Sequence, residues 1–127
     1  MALVKMACGV AFILVLVGSS AVIPAEMTID FSWKGIVFCR GSGTSPAFQV
    51  RNAPANTRSL VITLDQIGDP REYGGSTVPY SADGNVLKGA VHANGPCLPG
   101  NYRWTVAALD SAGATLATAG MAHELPN

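Results

Sequence analysis

Any chemistry in this chain has to come from a small set of side chains. Asp65, Asp69 and Glu72 cluster at a proline-containing turn and could form an acid/base set, but carboxylates clustered in a turn more often shape and solvate it. His92 and His123 are the only histidines, and neither has a second His, Cys or carboxylate at a metal-ligand spacing. Gly41-Ser42-Gly43-Thr44-Ser45 is glycine-rich but lacks the lysine of a phosphate loop and opens no helical pattern. No Gly-x-Ser-x-Gly elbow occurs, and nothing sets a serine beside a base. These residues predict a chain without catalytic residues, metal or cofactor.

The cysteines point to a compartment. Lys5 is followed by the apolar run Met6–Val17 and then by Gly18-Ser19-Ser20, the layout of a secretory leader with cleavage after Ala21 or Ala25. A membrane anchor would need about 20 apolar residues, and Gly18, Ser19, Ser20 and Pro24 interrupt the longer run. The expected division is therefore 1–25 as signal peptide and 26–127 as one exported domain, periplasmic or secreted, with no stable membrane span once the leader is gone. Cys8 belongs to the leader. Cys39 and Cys97 remain, an even number in an oxidising compartment, and are expected to form a disulfide rather than two unpaired thiols.

Formal charge is balanced, with eight basic and eight acidic residues. Removing the leader takes away only Lys5. No basic field is left to attract nucleic acid or an anionic membrane surface, and nothing in the composition names a protein partner.

The elements that must hold these residues read as strands. Helical periodicity is scarce beyond the leader, while short β-branched and aromatic runs recur between Gly, Pro, Asn and Asp clusters, which predicts an all-β, antiparallel two-sheet sandwich. The clearest strands are 59–64 and 102–109. Tyr102, Trp104, Val106 and Ala108 share one face of the second, and Arg103 lies on the other. The first is apolar on both faces except at Thr63, which suits the middle of a sheet. Weaker strands are expected at 28–33, 35–39, 47–50, 77–80 and 115–118. Loops are expected at 52–56, 67–75 and 94–101, a hairpin turn at Ser111-Ala112-Gly113, and a frayed tail from Met121 onward.

Two ordered blocks go further than periodicity. The first comprises Cys39-Arg40-Gly41, Ser45-Pro46-Ala47-Phe48-Gln49-Val50, Ala53-Pro54 and a strand ending at Asp65. The second comprises Tyr73-Gly74-Gly75, Thr77-Val78-Pro79-Tyr80, Gly89-Ala90, Gly95-Pro96-Cys97-Leu98-Pro99-Gly100, Tyr102-Arg103-Trp104 and Ala108-Leu109-Asp110. In order and spacing these resemble the phosphatidylethanolamine-binding protein (PEBP) family, which includes Raf kinase inhibitor proteins and bacterial exported members. The chain is similar to a short, divergent member of the last group.

The resemblance implies a PEBP-like sandwich with a small pocket at one end that accepts anionic groups such as phosphate. Carried over residue by residue, the ligand-binding set is Asp65, Pro70, Tyr73, Gly74, Gly75, Pro96 and Tyr102. Tyr73 stands where exported relatives carry a histidine before Gly-Gly, and Gly100 or Asn101 stands at the second histidine position. A tyrosine hydroxyl donates a hydrogen bond but brings no switchable positive charge. The expectation is a non-catalytic exported binder of a small polar or anionic ligand, held weakly in a degenerate pocket. The alternatives are a structural or interaction sandwich that has lost ligand binding, and a PEBP-type inhibitor of a protease or kinase.

Overall fold

The computed structural model describes residues 25–36 and 43–125. The expected leader, apart from Ala25, lies outside these residues, and so does Cys39. The elements in chain order are β1 (Thr28–Asp30), β2 (Gly43–Thr44), β3 (Phe48–Arg51), β4 (Ser59–Gln66), β5 (Glu72–Pro79), β6 (Asn85–Val86), β7 (His92–Ala93), β8 (Gly100–Leu109) and β9 (Thr115–Leu125). No helix occurs among the described residues.

A four-stranded sheet in the order β5-β4-β8-β9 faces a three-stranded sheet in the order β1-β3-β6, and β2 and β7 form a short ribbon. All pairings are antiparallel. The two strands with the strongest pattern, β4 and β8, occupy the interior of the larger sheet, as their apolar faces require. Leu60, Ile62 and Leu64 of β4 and Tyr102, Trp104, Val106 and Ala108 of β8 are buried on its inner face. They meet Ile29, Phe31, Trp33, Phe48 and Val50 from the facing layer. Aromatic edges lock the two layers: Phe48 lies 5.0 Å from Trp104, and Trp33 lies 6.1 Å from Trp104.

Four expectations change. The strand expected at 28–33 stops at Asp30, and Phe31 and Trp33 follow as buried non-strand anchors. No strand forms at Gly35 or Ile36; Gly35 occupies a turn with φ 74°, and the rest of the 35–39 segment lies outside the described residues. The loop expected at 67–75 ends early, because β5 starts at Glu72. Finally, the tail from Met121 is no frayed end: β9 runs to Leu125, pairing with β8 from Thr115↔Leu109, through a register shift at Leu116, and then residue by residue from Ala117↔Ala108 to Leu125↔Gly100. The hairpin between β8 and β9 turns at the expected residues, with the Asp110 carboxylate accepting the Ala112 and Ala114 N–H groups at 2.9 Å.

Candidate functional site

The two sequence blocks meet in space. The Ser45 hydroxyl accepts the Val91 N–H at 3.1 Å and the Ser45 carbonyl accepts the Gly89 N–H at 2.9 Å, which ties the first block to the second. At the far end of the larger sheet, strand alternation sorts the expected site residues onto opposite faces. The register sets Asp65 against Arg103 and Gln66 against Tyr102. Neighbouring residues of a strand point to opposite sides, so Asp65 and Arg103 face outward while Gln66 and Tyr102 face the core.

A β-bulge brings Tyr73 to the inner side. Between the pairs Thr63↔Gly75 and Asp65↔Glu72, Leu64 alone opposes both Tyr73 and Gly74. Gly74 takes the extra place with φ 82°, a backbone region that glycine enters without penalty. The bulge turns Tyr73 inward while Glu72 stays outward beside Asp65.

On the inner side, the Tyr73 hydroxyl donates to Gln66 Oε1 at 3.1 Å and the Tyr102 hydroxyl donates to the Leu98 carbonyl at 2.8 Å. The two rings pack edge to face at 5.7 Å. Burial pushes the Tyr102 phenol above its ordinary pKa, with the neighbouring Tyr73 adding to the effect. The 95–100 loop closes over this pair. Asn94 N–H donates to the Tyr73 carbonyl at 2.7 Å, the Gly95–Pro96 bond is cis, and Pro96 is fully buried. A side chain at Gly95 would come within 2.9 Å of the Tyr73 ring. Cys97 lies in the same loop.

The outward side is a charged cleft of about 400 Å³ lined by Asp65, Asp69, Pro70, Arg71, Glu72 and Arg103, among others. Arg103 clamps Asp65 through Nε at 3.1 Å and Nη2 at 2.6 Å. Arg71 clamps Asp69 through Nε at 3.0 Å and Nη2 at 2.7 Å, and its own N–H donates to Asp69 Oδ1 at 2.9 Å. The hydrogen bond from Arg71 holds the Asp69 carboxyl below the usual carboxylate range. In return Asp69 raises the Arg71 guanidinium, with a smaller contribution from Tyr73 and Tyr102.

Of the seven expected ligand residues, Asp65, Pro70 and Gly74 line the cleft. Tyr73 and Tyr102 form the inner pair, and Pro96 is buried in the loop that closes over it. Gly75 is a packing position, where a Cβ would collide with the Ile62 carbonyl of β4. Asp65 thus does not share a focus with the two tyrosines. Arg71 was not singled out by sequence reasoning; its signal was its position two residues after Asp69 in a tight turn.

The histidines stand elsewhere. His92 is exposed on β7, and His123 lies 4.8 Å ring to ring from Phe31, with Nε2 3.8 Å from Asp30. Among the described residues no group of three His, Cys, Asp or Glu side chains is placed to hold a metal ion. Larger clefts of about 610 and 830 Å³ open at other seams, and neither is lined by any of the seven residues.

No family model and no curated protein matches the sequence. Among solved structures, the chain is similar to one described as a candidate PEBP homologue from Chlamydia trachomatis, with a TM-score of 0.58 and 17% identity over 80% of this chain and 98% of that one. At that identity the likeness is one of architecture, and on it the protein is an all-β sandwich with the PEBP-like fold.

Proposed function

We propose that this is a non-catalytic, exported protein of the PEBP family that takes a small polar or anionic ligand weakly in the cleft of Asp65, Asp69, Arg71, Glu72 and Arg103. The observation that carries the reading is the pair of guanidinium groups, Arg71 and Arg103, brought to one 400 Å³ cleft from a turn and a strand. Planar guanidinium forks suit phosphate and carboxylate oxygens. Each fork is already occupied by a carboxylate, and Glu72 adds a third negative group. An anion must therefore displace an internal partner, and binding is weak. The export signal and a Cys39–Cys97 disulfide belong to the same proposal.

Calorimetric titration with inorganic phosphate tests it. The natural sequence is expected to bind at about millimolar or poorer, no more than about −4 kcal/mol. Asp69→Asn keeps the turn-closing oxygen and removes the charge, so Arg71 is released and affinity rises by roughly tenfold. Arg71→Gln should remove that gain when combined with Asp69→Asn. Micromolar binding by the natural sequence, or no response to Asp69→Asn, would overturn the cleft assignment. A second reading, a sandwich that has given up ligand binding, draws on one observation: both inner tyrosine hydroxyls already have partners within the fold. Absence of heat from every variant selects it.

A further inference from the structure

The edges of the sheets are managed unequally. The smaller sheet ends on β1 and β6, which are three and two residues long. The β5 edge of the larger sheet is covered by the β7 segment, through Asn94 N–H to the Tyr73 carbonyl and His92 N–H to the Ser76 hydroxyl, both at 2.7 Å. The opposite edge is β9, 11 residues long. From Thr115 to Ala122 it contains no charged residue and no proline. Short strands, covering segments, charges and prolines are how soluble proteins blunt an edge against pairing; along this stretch β9 has no charge and no proline, and although β1 and the 25–27 segment lie near it, no described strand other than β8 pairs with it.

Its backbone polarity can be read from the ladder. Antiparallel neighbours exchange hydrogen bonds at alternate residues. The bond from Tyr80 N–H to the Arg58 carbonyl, 3.0 Å, aims the even-numbered residues of β4 at β5. The bond from Ile67 N–H to the Asn101 carbonyl, 2.9 Å, aims the odd-numbered ones at β8. Carried through the registers of β4 with β8 and of β8 with β9, this alternation turns the N–H and C=O groups of Thr118, Gly120 and Ala122 away from β8. Among the described residues none of these groups has a backbone partner. Gly120 is exposed, and with no side chain its exposed surface is backbone. On the inner face Ala117, Ala119 and Met121 are already packed on the core, so the strand is held rigidly in extended form.

We propose that β9 pairs with β9 of a second copy of this chain, antiparallel about a two-fold axis at Gly120, joining the two larger sheets into one continuous sheet. The strand is self-complementary in this register. Thr118 pairs with Ala122, Gly120 with its own counterpart, and Met121 meets Ala119, large against small. Glu124 falls opposite Leu116 and His123 opposite Ala117, so no like charges meet across the ladder. Arg103, the large cation beside Gly120, is neutralised within its own copy by Asp65. An isologous contact of this kind closes at two copies.

Sedimentation of the protein as purified from the cells that make it should show a monomer–dimer equilibrium over roughly micromolar to millimolar concentration. As dimer forms, hydrogen exchange at the Thr118, Gly120 and Ala122 amides should slow, while the buried β8 amides stay unchanged. Thr118→Pro deletes an outward donor and leaves the bonds to β8 intact, and Gly120→Lys sets two cations across the axis. Each should weaken the dimer by roughly tenfold or more, and Gly120→Lys keeps the test open if Thr118→Pro does not fold. A monomer at every concentration overturns the proposal and leaves the edge to a strand of another protein. So does a dimer in which those amides exchange at the monomer rate, or one that neither folded variant weakens.

Discussion

Adjacent glycines in β5 do different work. Gly74 holds the extra place of the bulge at φ 82°, and a Cβ built there approaches nothing closer than Asn94 Nδ2 at 4.0 Å. Its requirement is conformational. Gly75 has an ordinary backbone but lies against the β4 main chain, where a Cβ would run into the Ile62 carbonyl. Its requirement is space. Gly74→Ala should therefore cost about 1 kcal/mol, the usual penalty for an alanine held at positive φ. Gly75→Ala must push two paired strands apart and should cost about 3 kcal/mol. Urea unfolding of both variants checks the order; equal losses, or a larger loss at Gly74, would show that the bulge and not the close approach governs this corner. Because the bulge turns Tyr73 inward, Gly74→Ala should also alter the Tyr73–Tyr102 contact, visible in near-ultraviolet circular dichroism.

At the scale of elements, β4 and β8 were readable because each buries one face completely and β-branched or aromatic residues recur at every second position. The same alternation contained the split of the site: Leu60, Ile62, Leu64 and Gln66 share a face, so Asp65 had to point away from Tyr102, just as Arg103 does. The start of β5 was hidden because Tyr73-Gly74-Gly75 resembles a turn, glycine being depleted in strands. A bulge is visible only once the partner strand is known. The end of β9 was hidden for a related reason: alanines and Gly120 have weak strand preference, and pairing with β8, a tertiary contact, supplies the order. This gives a test of the C-terminal half of β9. Ending the chain at Gly120 strips the partners from Gly100–Trp104 and removes the His123 carbonyl that accepts Trp33 Nε1–H at 3.1 Å. The loss should be several kcal/mol, on the order of half a small domain's net stability, and the truncated chain should unfold at markedly lower urea. A frayed tail would instead be removable without effect.

For the molecule as a whole, the question is what closes the end of the sandwich at which the tyrosines lie. The layers are joined through the aromatic core, and among the described residues Asn94 N–H to the Tyr73 carbonyl and the Tyr102 hydroxyl to the Leu98 carbonyl tie the 94–99 segment to these tyrosines. A covalent tie from Cys97 to Cys39 would hold that loop to the segment that follows Ile36 in the chain. In the chain-entropy account, a bridge from Cys39 to Cys97 stabilises the fold by about 4 kcal/mol, against a net stability of about 5–15 kcal/mol for a domain of this size. Reduction should then lower the melting temperature by roughly 15–30 °C, since each kcal/mol is worth about 4–8 °C in a domain of about a hundred residues. Cys97→Ser should reproduce the shift and show no further response to reductant. The same sample settles export, since intact mass reads both the bridge, as the loss of two hydrogens, and the start of the chain, expected near Val22 or Glu26. Thiol labelling of the unreduced protein should give no adduct at either residue. An unchanged melting temperature under reductant, or labelling at both Cys39 and Cys97, would mean that the loop is held by packing alone.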